Sequence, residues 1–316
     1  MMQMDWHSTA LELFRRQAVD CLIYREYLQA IGCRSDQVVR INDIPFLPIE
    51  FFKKHRVVTG NWTSEHIFQS SGTTSELRSK HHVRSMAQYL SNSQLIFESL
   101  YGPLENMAIL ALLPGYAPES SLVAMVSHFI KKSHHSISDF FSNQTNFDSL
   151  QSALLHCRHQ GILTLLIGVT YSLLDFANVQ SIEFPELIIM ETGGMKGQKK
   201  ELIRKDVHDL LTSAFGVEKV HSEYGMTELL SQAYSQGDGL FMSNSRFKIF
   251  PGDLYDPLSA TTYETTARIN VMDLANEHSC AFIATNDLGK VYHDGSFEII
   301  GRQDFSEIRG CNLLMM

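Results

Sequence analysis

The chain has 316 residues, of which 44% are hydrophobic, 19% charged and 10% aromatic. That composition supports one or two globular domains with a sizeable core, and it excludes a disordered chain, a collagen or a coiled coil. The formal net charge of -9, from 35 acidic and 26 basic residues, argues against a broad basic face for nucleic acid. It is compatible with one small anion site built from backbone and a few cations.

The five cysteines, Cys21, Cys33, Cys157, Cys280 and Cys311, are widely spaced and form no CxxC pair. This usage predicts a reducing, cytoplasmic compartment rather than a disulfide scaffold. Met1–Ala10 carries Asp5 and His7 and no apolar signal stretch. The longest apolar runs, Met107–Leu113 and Gly161–Val169, are too short to cross a bilayer, so no membrane span is expected.

In chain order, residues 8–31 carry apolar positions at helical spacing: Leu11, Leu13, Phe14, Val19, Leu22, Ile23 and Leu28. The prolines of Asn42–Pro48 set an extended segment. Ile67-Phe68 then leads into the small-residue stretch Gln69–Ser75, with a helix predicted around 85–100.

The middle alternates. Strands are predicted at Met107–Leu113, Ile162–Ile167, Leu187–Met190 and Val217–His221. Helices are predicted at Ser120–Lys132, Phe147–His159, Tyr171–Ala177 and Lys199–Ala214. Such alternation points to a largely parallel sheet covered on both faces.

After about 240 the pattern becomes β-rich and antiparallel. Strands are predicted at Phe247–Phe250, Thr266–Val271, Ala281–Thr285, Lys290–Tyr292 and Ser296–Ile300. Turn signals stand at Pro251-Gly252-Asp253, Asn286-Asp287 and Asp294-Gly295. The organisation read from this is an N-terminal helical region (1–64), an α/β core (65–240), a β-rich subdomain (241–305) and a tail (306–316).

Four segments carry chemistry. In Ser70-Ser71-Gly72-Thr73-Thr74-Ser75, hydroxyls and backbone N–H groups around a glycine can surround phosphate oxygens, with Arg78 and Lys80 downstream. The plain alternative is a flexible surface loop. Glu191-Thr192-Gly193-Gly194-Met195 follows a predicted strand, where glycines leave room for a flat ligand. Its plain alternative is a strand-to-helix turn.

In Tyr224-Gly225-Met226-Thr227-Glu228, Tyr can stack on a base, Thr can reach a phosphate and Glu can hold a hard cation. In Thr285–Gly289 and Gly301–Asp304, a carboxylate can accept ribose hydroxyls and an Arg can bridge ribose and phosphate.

In this order the segments read SSGTTS, YGMTE, TNDLG and GRQD. They resemble the motifs of the adenylate-forming enzymes: acyl-CoA synthetases, adenylation domains and phenylacetate-CoA ligases. The resemblance covers roughly residues 65–313. Ser75 replaces the last Gly of the phosphate loop, and Asn286 replaces the Gly of TGD. The sequence ends shortly after Ile308–Asn312, where the mobile C-terminal domain begins in full-length members, so that domain is expected to be essentially absent.

With Cys311 near the end, the pattern is similar to the LuxE-type acyl-protein synthetases, as are Ile44–Lys53 and Leu113–Tyr116. The resemblance implies an adenylate-forming large-domain fold of the α/β class. It implies ATP and Mg2+ as cofactors, a fatty or other carboxylic acid as substrate, and acyl transfer through Cys311 to a reductase or acyltransferase partner. The site residues it implies are Ser70, Ser71, Gly72, Thr73 and Thr74 at phosphate and Gly193, Gly194, Met195, Tyr224 and Gly225 around the base. Asp287 and Arg302 are implied at ribose, Thr227, Glu228 and Cys311 in catalysis, and Glu228 also at the metal.

Two rival functions are delivery of the acyl-adenylate to CoA or a carrier-protein thiol, and nucleotide or acyl binding without turnover. The histidines, 14 in all, scatter; His81-His82 and His134-His135 are polar pairs, and His156-Cys157-Arg158-His159 is a weak zinc signal. The 13 methionines read as core filler, and Cys21, Cys33, Cys157 and Cys280 as buried thiols.

Overall fold

The computed structural model describes residues 5–71, 77–113, 117–141, 147–193, 203–256 and 258–303. The N-terminal helical pattern forms two helices, α1 (Trp6–Asp20) and α2 (Leu22–Ala30), rather than one. Asp5 caps α1 by accepting from the His7 and Ser8 backbone N–H groups. Cys21 breaks the run. It is fully buried in an extended conformation and bridges to Thr59, and that pairing outweighs helix continuity. Val19 and Leu22, apolar and beside the break, are left exposed.

The proline segment that follows contains a short strand, β1 (Leu47–Pro48), which runs parallel to Ile283–Ala284. The Tyr24 hydroxyl donates to the Pro45 carbonyl at 2.5 Å and locks α2 onto it. A four-residue helix, α3 (Phe51–Lys54), comes next.

A hairpin of β2 (His66–Gln69) and β3 (Lys80–Val83) frames the small-residue loop. Then α4 (Met86–Tyr101) starts on a Ser85 cap, as the sequence predicts. There follow β4 (Ala108–Leu112), α5 (Ser121–Lys132), β5 (Asp139–Phe140), α6 (Phe147–Gln160) and β6 (Thr164–Val169). The run closes with α7 (Thr170–Val179), β7 (Ile188–Thr192), α8 (Arg204–Phe215) and β8 (His221–Tyr224).

Strands β4 to β8 pair in parallel, and β4, β6 and β7 are buried on both faces, as their near-continuous apolar text requires. Leu110, Leu112, Leu166 and Ile189 pack with Leu150, Leu173, Leu211 and Phe215 of α6–α8. Ile109, Ala111, Leu165, Ile167 and Met190 pack with Tyr89, Phe97, Met125 and Phe129 of α4 and α5. The alternation along each strand separates these two cores, and each buried large aliphatic side chain contributes about 1.5–3 kcal/mol.

One strand is displaced. Val217–His221 is predicted, but β8 begins at His221 and carries Tyr224 within it. Val217 and Val220 are apolar because they fill the core below the strand.

The C-terminal part contains β9 (Ala233–Ser235), β10 (Leu240–Met242), β11 (Phe247–Gly252), β12 (Thr266–Asp273), β13 (Phe282–Val291) and β14 (Ser296–Arg302). They pair antiparallel and extend the parallel strands into a 12-stranded sheet ordered β11-β12-β13-β14-β10-β9-β8-β7-β6-β4-β5, with β1 on β13. Helices α1 and α2 cover the far end, where Phe14 and Tyr24 pack on Phe282 at 5.9 and 6.0 Å.

The two predicted strands Ala281–Thr285 and Lys290–Tyr292 are one strand. Asn286-Asp287 is not a turn. Its polarity serves cross-element bonds, and the irregularity is a register shift against β14 at Leu288/Gly289. A Cβ on Gly289 would lie 1.9 Å from the Glu298 carbonyl oxygen, so the close approach there requires glycine. Pro251-Gly252 also lies within a strand, tolerated because β11 is at the sheet edge. Among the described residues no helix is long and apolar enough to cross a membrane.

Candidate active site

The β2–β3 hairpin closes on a reciprocal pair. The Ser70 N–H donates to the Ser79 carbonyl at 3.1 Å, and the Ser79 N–H donates to Ser70 Oγ at 3.0 Å. Ser79 is buried, and its side chain is near enough to the Glu228 carboxyl to favour the charged form. The base of the small-residue loop is therefore held beside the YGMTE segment. Ser71 is exposed at the loop's start, while Gly72, Thr73 and Thr74 lie outside the described residues.

Thr227 is tied to the same hairpin, since its carbonyl accepts from His81 Nδ1 at 2.8 Å. Burial holds His81 down to about 4, so the ring is neutral near pH 7, with Nδ1 assigned as the donor nitrogen by this bond. Glu228 is 4% exposed. Burial raises its carboxyl pKa, while Ser79 and Arg302 pull it the other way. Its backbone carbonyl accepts from Asn276 Nδ2 at 2.7 Å.

Tyr224 ends β8 with its ring set among Phe241, Phe247 and Phe297 at 5.9, 6.5 and 5.7 Å. Burial pushes its phenol well above the usual range, so it stays protonated and donates to Asp287 Oδ2 at 2.8 Å. Asp287 and Arg302 face each other across β13 and β14, with Nε 3.9 Å from Oδ1. The structure thus brings Tyr224, Asp287 and Arg302 together, and Glu228 feels the charges of the last two.

Gly225 has no room for a side chain, because a Cβ would sit 2.4 Å from Glu223 Oε1. Gly193 directly follows β7 with a φ of +67°, a left-handed conformation that favours glycine. Gly194, Met195 and Cys311 lie outside the described residues.

The family model for "Acyl-protein synthetase, LuxE" matches residues 6–316. The chain belongs to the LuxE acyl-protein synthetase family. No curated protein sequence matches it. The solved structures it resembles include 2-hydroxyisobutyryl-CoA ligase in an open conformation with 2-HIB-AMP and CoA. The TM-score is 0.66 at 11% identity, over 93% of this chain and 68% of the other. ATP-bound MatB from Rhodopseudomonas palustris gives a TM-score of 0.56 at 18% identity, over 77% of this chain and 49% of the other. The LuxE-family chain therefore has the large-domain fold of adenylate-forming ligases and spans about half to two thirds of the length of these structures.

Several residues that matter in this LuxE-family site had no sequence signal of their own. His81 reads in sequence as half of a polar pair, yet it is the buried clip on Thr227. Its alternation with the half-buried His82 in β3 was the available clue. Asp273 is fully buried and accepts from the Leu230 and Ser231 N–H groups at 2.8 and 3.0 Å, fixing the chain after Glu228.

The departure from TGD also has a structural partner. Asn286 Nδ2 donates to Glu50 Oε1 at 2.5 Å, joining the motif to the Ile44–Lys53 segment. Cys157 of the weak zinc signal is buried in the core under α6, and among the described residues no group of three or more His, Cys, Asp or Glu could hold a metal. Cys33 is half-buried, unlike Cys21 and Cys280, which are buried like Cys157.

Proposed function

We propose that this LuxE-family ligase activates a carboxylic acid, of the fatty-acid class, and passes the acyl group through its own Cys311 to a partner protein. The observation that supports this best is the linkage of distant motifs: the Ser70–Ser79 hairpin to Thr227 through His81, and Tyr224 to Asp287 to Arg302. Each motif has a place in binding one nucleotide.

In the first half-reaction an oxygen of the acid attacks the α-phosphorus of ATP. The new O–P bond gives acyl-AMP, and pyrophosphate leaves. An anion must approach a polyanion, so the main barrier is electrostatic. Ser70, Ser71, Gly72, Thr73, Thr74 and Thr227 bind phosphate oxygens in this reading. Gly193, Gly194, Met195, Tyr224 and Gly225 frame the base, and Asp287 with Arg302 holds the ribose. Tyr224 contributes through its bond to Asp287 as well as its position. In the second half-reaction the Cys311 thiolate attacks the acyl carbonyl, a C–S bond forms and AMP departs. A reductase or acyltransferase of the partner class then accepts the acyl group.

Glu228 fits a Mg2+ role, since it is a buried carboxylate whose burial disfavours its own charge, beside the phosphate-loop hairpin. Mg2+ is commonly held by one or two carboxylates plus substrate phosphates. When bound, the ion would neutralise phosphate charge. Glu228→Gln is expected to raise the Mg2+ concentration for half-maximal adenylation by about tenfold or more, because an amide is a poorer ligand for a hard cation. A magnesium titration that superimposes on wild type would make the carboxylate structural.

The direct test of the function is acid-dependent exchange of labelled pyrophosphate into ATP across a panel of acids. Exchange with one acid class is expected, and none with any acid would remove the proposal. Asp287→Ala is expected to weaken ATP binding by about 1.5–3 kcal/mol, the worth of a hydrogen bond to a charged group, and to leave acid binding nearly unchanged. Calorimetry showing equal ATP affinity in a folded variant would displace the ribose from this carboxylate.

A further inference from the structure

A second polar network lies beneath the nucleotide motifs. Glu191, in β7, is 8% exposed and belongs to none of the residues assigned above. Its Oε2 accepts from Thr170 Oγ1 at 2.6 Å, and its Oε1 accepts from Ser222 Oγ at 2.8 Å. Arg204 Nε and His208 Nε2 of α8 each lie 3.9 Å from Oε1. Burial alone raises the carboxyl pKa, but these partners outweigh it and hold Glu191 below the usual carboxylate range. One ionised side chain of β7 thereby gathers Thr170 at the start of α7, Ser222 of β8, and Arg204 and His208 of α8.

What these donors do next connects them to ligand. The one Thr170 hydroxyl hydrogen is shared: its main bond is to Glu191, and the Gly193 carbonyl, 3.1 Å from Oγ1, takes the weaker arm of a three-centre contact, so the carboxylate sets how the hydroxyl meets the glycine turn after β7. Ser222 lies on β8 directly opposite Glu191, two residues before Tyr224. The Arg204 guanidinium lies over the Phe241 ring at 5.6 Å, and Phe241 is edge-on to Tyr224 at 5.9 Å. Two paths from Glu191, a hydroxyl path and a cation path, thus end at the two segments read as framing the base.

We propose that Glu191 is a positioning residue for nucleotide binding, acting through Thr170 on the Gly193 turn and through Ser222 and Arg204 on the strand that carries Tyr224. The inference rests on the reading of Gly193 and Tyr224 as nucleotide contacts. A carboxylate suits this task because it is acceptor-only and can serve several donors at once. In Glu191→Gln the amide keeps the shape but removes the counter-charge of Arg204 and presents N–H groups to donors. In Thr170→Val the shape is kept and only the hydroxyl link is lost.

The test measures ATP affinity by calorimetry and the KM values for ATP and for acid in pyrophosphate exchange, for both single variants and the double variant. Glu191→Gln is expected to weaken ATP binding about tenfold, the scale of one lost hydrogen bond. Thr170→Val shifts it in the same direction. The double variant is expected to be no more than about twofold worse than Glu191→Gln, since the two residues act in series. The KM for acid stays within about twofold, whereas general loosening of the fold would move both substrates together. Unchanged ATP affinity in folded Glu191→Gln, or fully additive losses, overturns the inference while leaving the proposed function intact. If Glu191→Gln does not fold, Thr170→Val decides, and wild-type ATP affinity in it overturns the inference. Wild-type protein that binds no ATP would overturn both readings.

Discussion

Cys311→Ser is expected to keep acid-dependent pyrophosphate exchange and to lose all covalently bound acid. Wild type, incubated with labelled acid and ATP, should retain label after denaturation and release it to neutral hydroxylamine. The argument is one of thiol chemistry. The attacking species is a thiolate, and an unperturbed cysteine has a pKa of about 8.5. Burial pushes the thiols of Cys21, Cys33, Cys157 and Cys280 upward, Cys280 furthest of all. These four are thereby disfavoured as nucleophiles at neutral pH. A thiol on the same chain also reacts at high effective concentration, without diffusion of a free acceptor. A hydroxylamine-labile label that survives in Cys311→Ser would assign the acyl group to another cysteine. Full-rate consumption of acid and CoA by that variant would instead favour delivery to a free thiol.

The second large effect is on stability against pH. Glu223 is buried, accepts from the Thr192 hydroxyl, and lies on the sheet face shared with Tyr89 and Tyr234. Burial first, and the charge of Glu191 second, raise its pKa from 4.5 to about 7. The unfolded chain releases this proton at the lower pH and the folded chain at the higher. The group therefore contributes stability that is fully present below about pH 4.5 and is lost as pH rises to about 7. The loss amounts to about 3 kcal/mol, at about 1.4 kcal/mol for each pH unit of separation. Glu223→Gln cannot ionise and escapes it. Urea unfolding at pH 4.5 and pH 7.5 should show the variant gaining on wild type by about that amount. A gap that stays constant across this range would mean that Glu223 ionises normally in the fold.

How far the sequence revealed the molecule depended on the kind of signal. Apolar periodicity located α4, α5, β4 and β7 because buried text of that length has few other uses. It failed at Cys21, where helical spacing continues through a residue whose backbone pairs with Thr59. It failed at Asn286-Asp287, where turn-like residues sit mid-strand because their side chains serve Glu50 and Tyr224. The ordered motifs marked Tyr224, Asp287, Arg302 and Glu228, and the structure links those that it describes. Ser79, His81 and Asp273 gave no comparable sign, and Glu191 stood in its segment without a role of its own. A buried polar residue is recognised by its partners, and those partners are distant in sequence.

The reciprocal Ser70–Ser79 pair has a consequence for how this chain can change. Both ends of the intervening stretch are fixed to each other and, through the neighbouring His81–Thr227 bond, to the segment after β8. The entropy of closing a loop between fixed ends grows only logarithmically with its length, by about 0.6 kcal/mol for each doubling. Lengthening the chain between the two serines therefore costs little in closure entropy. Ser79, buried at the base of that stretch, has no such freedom.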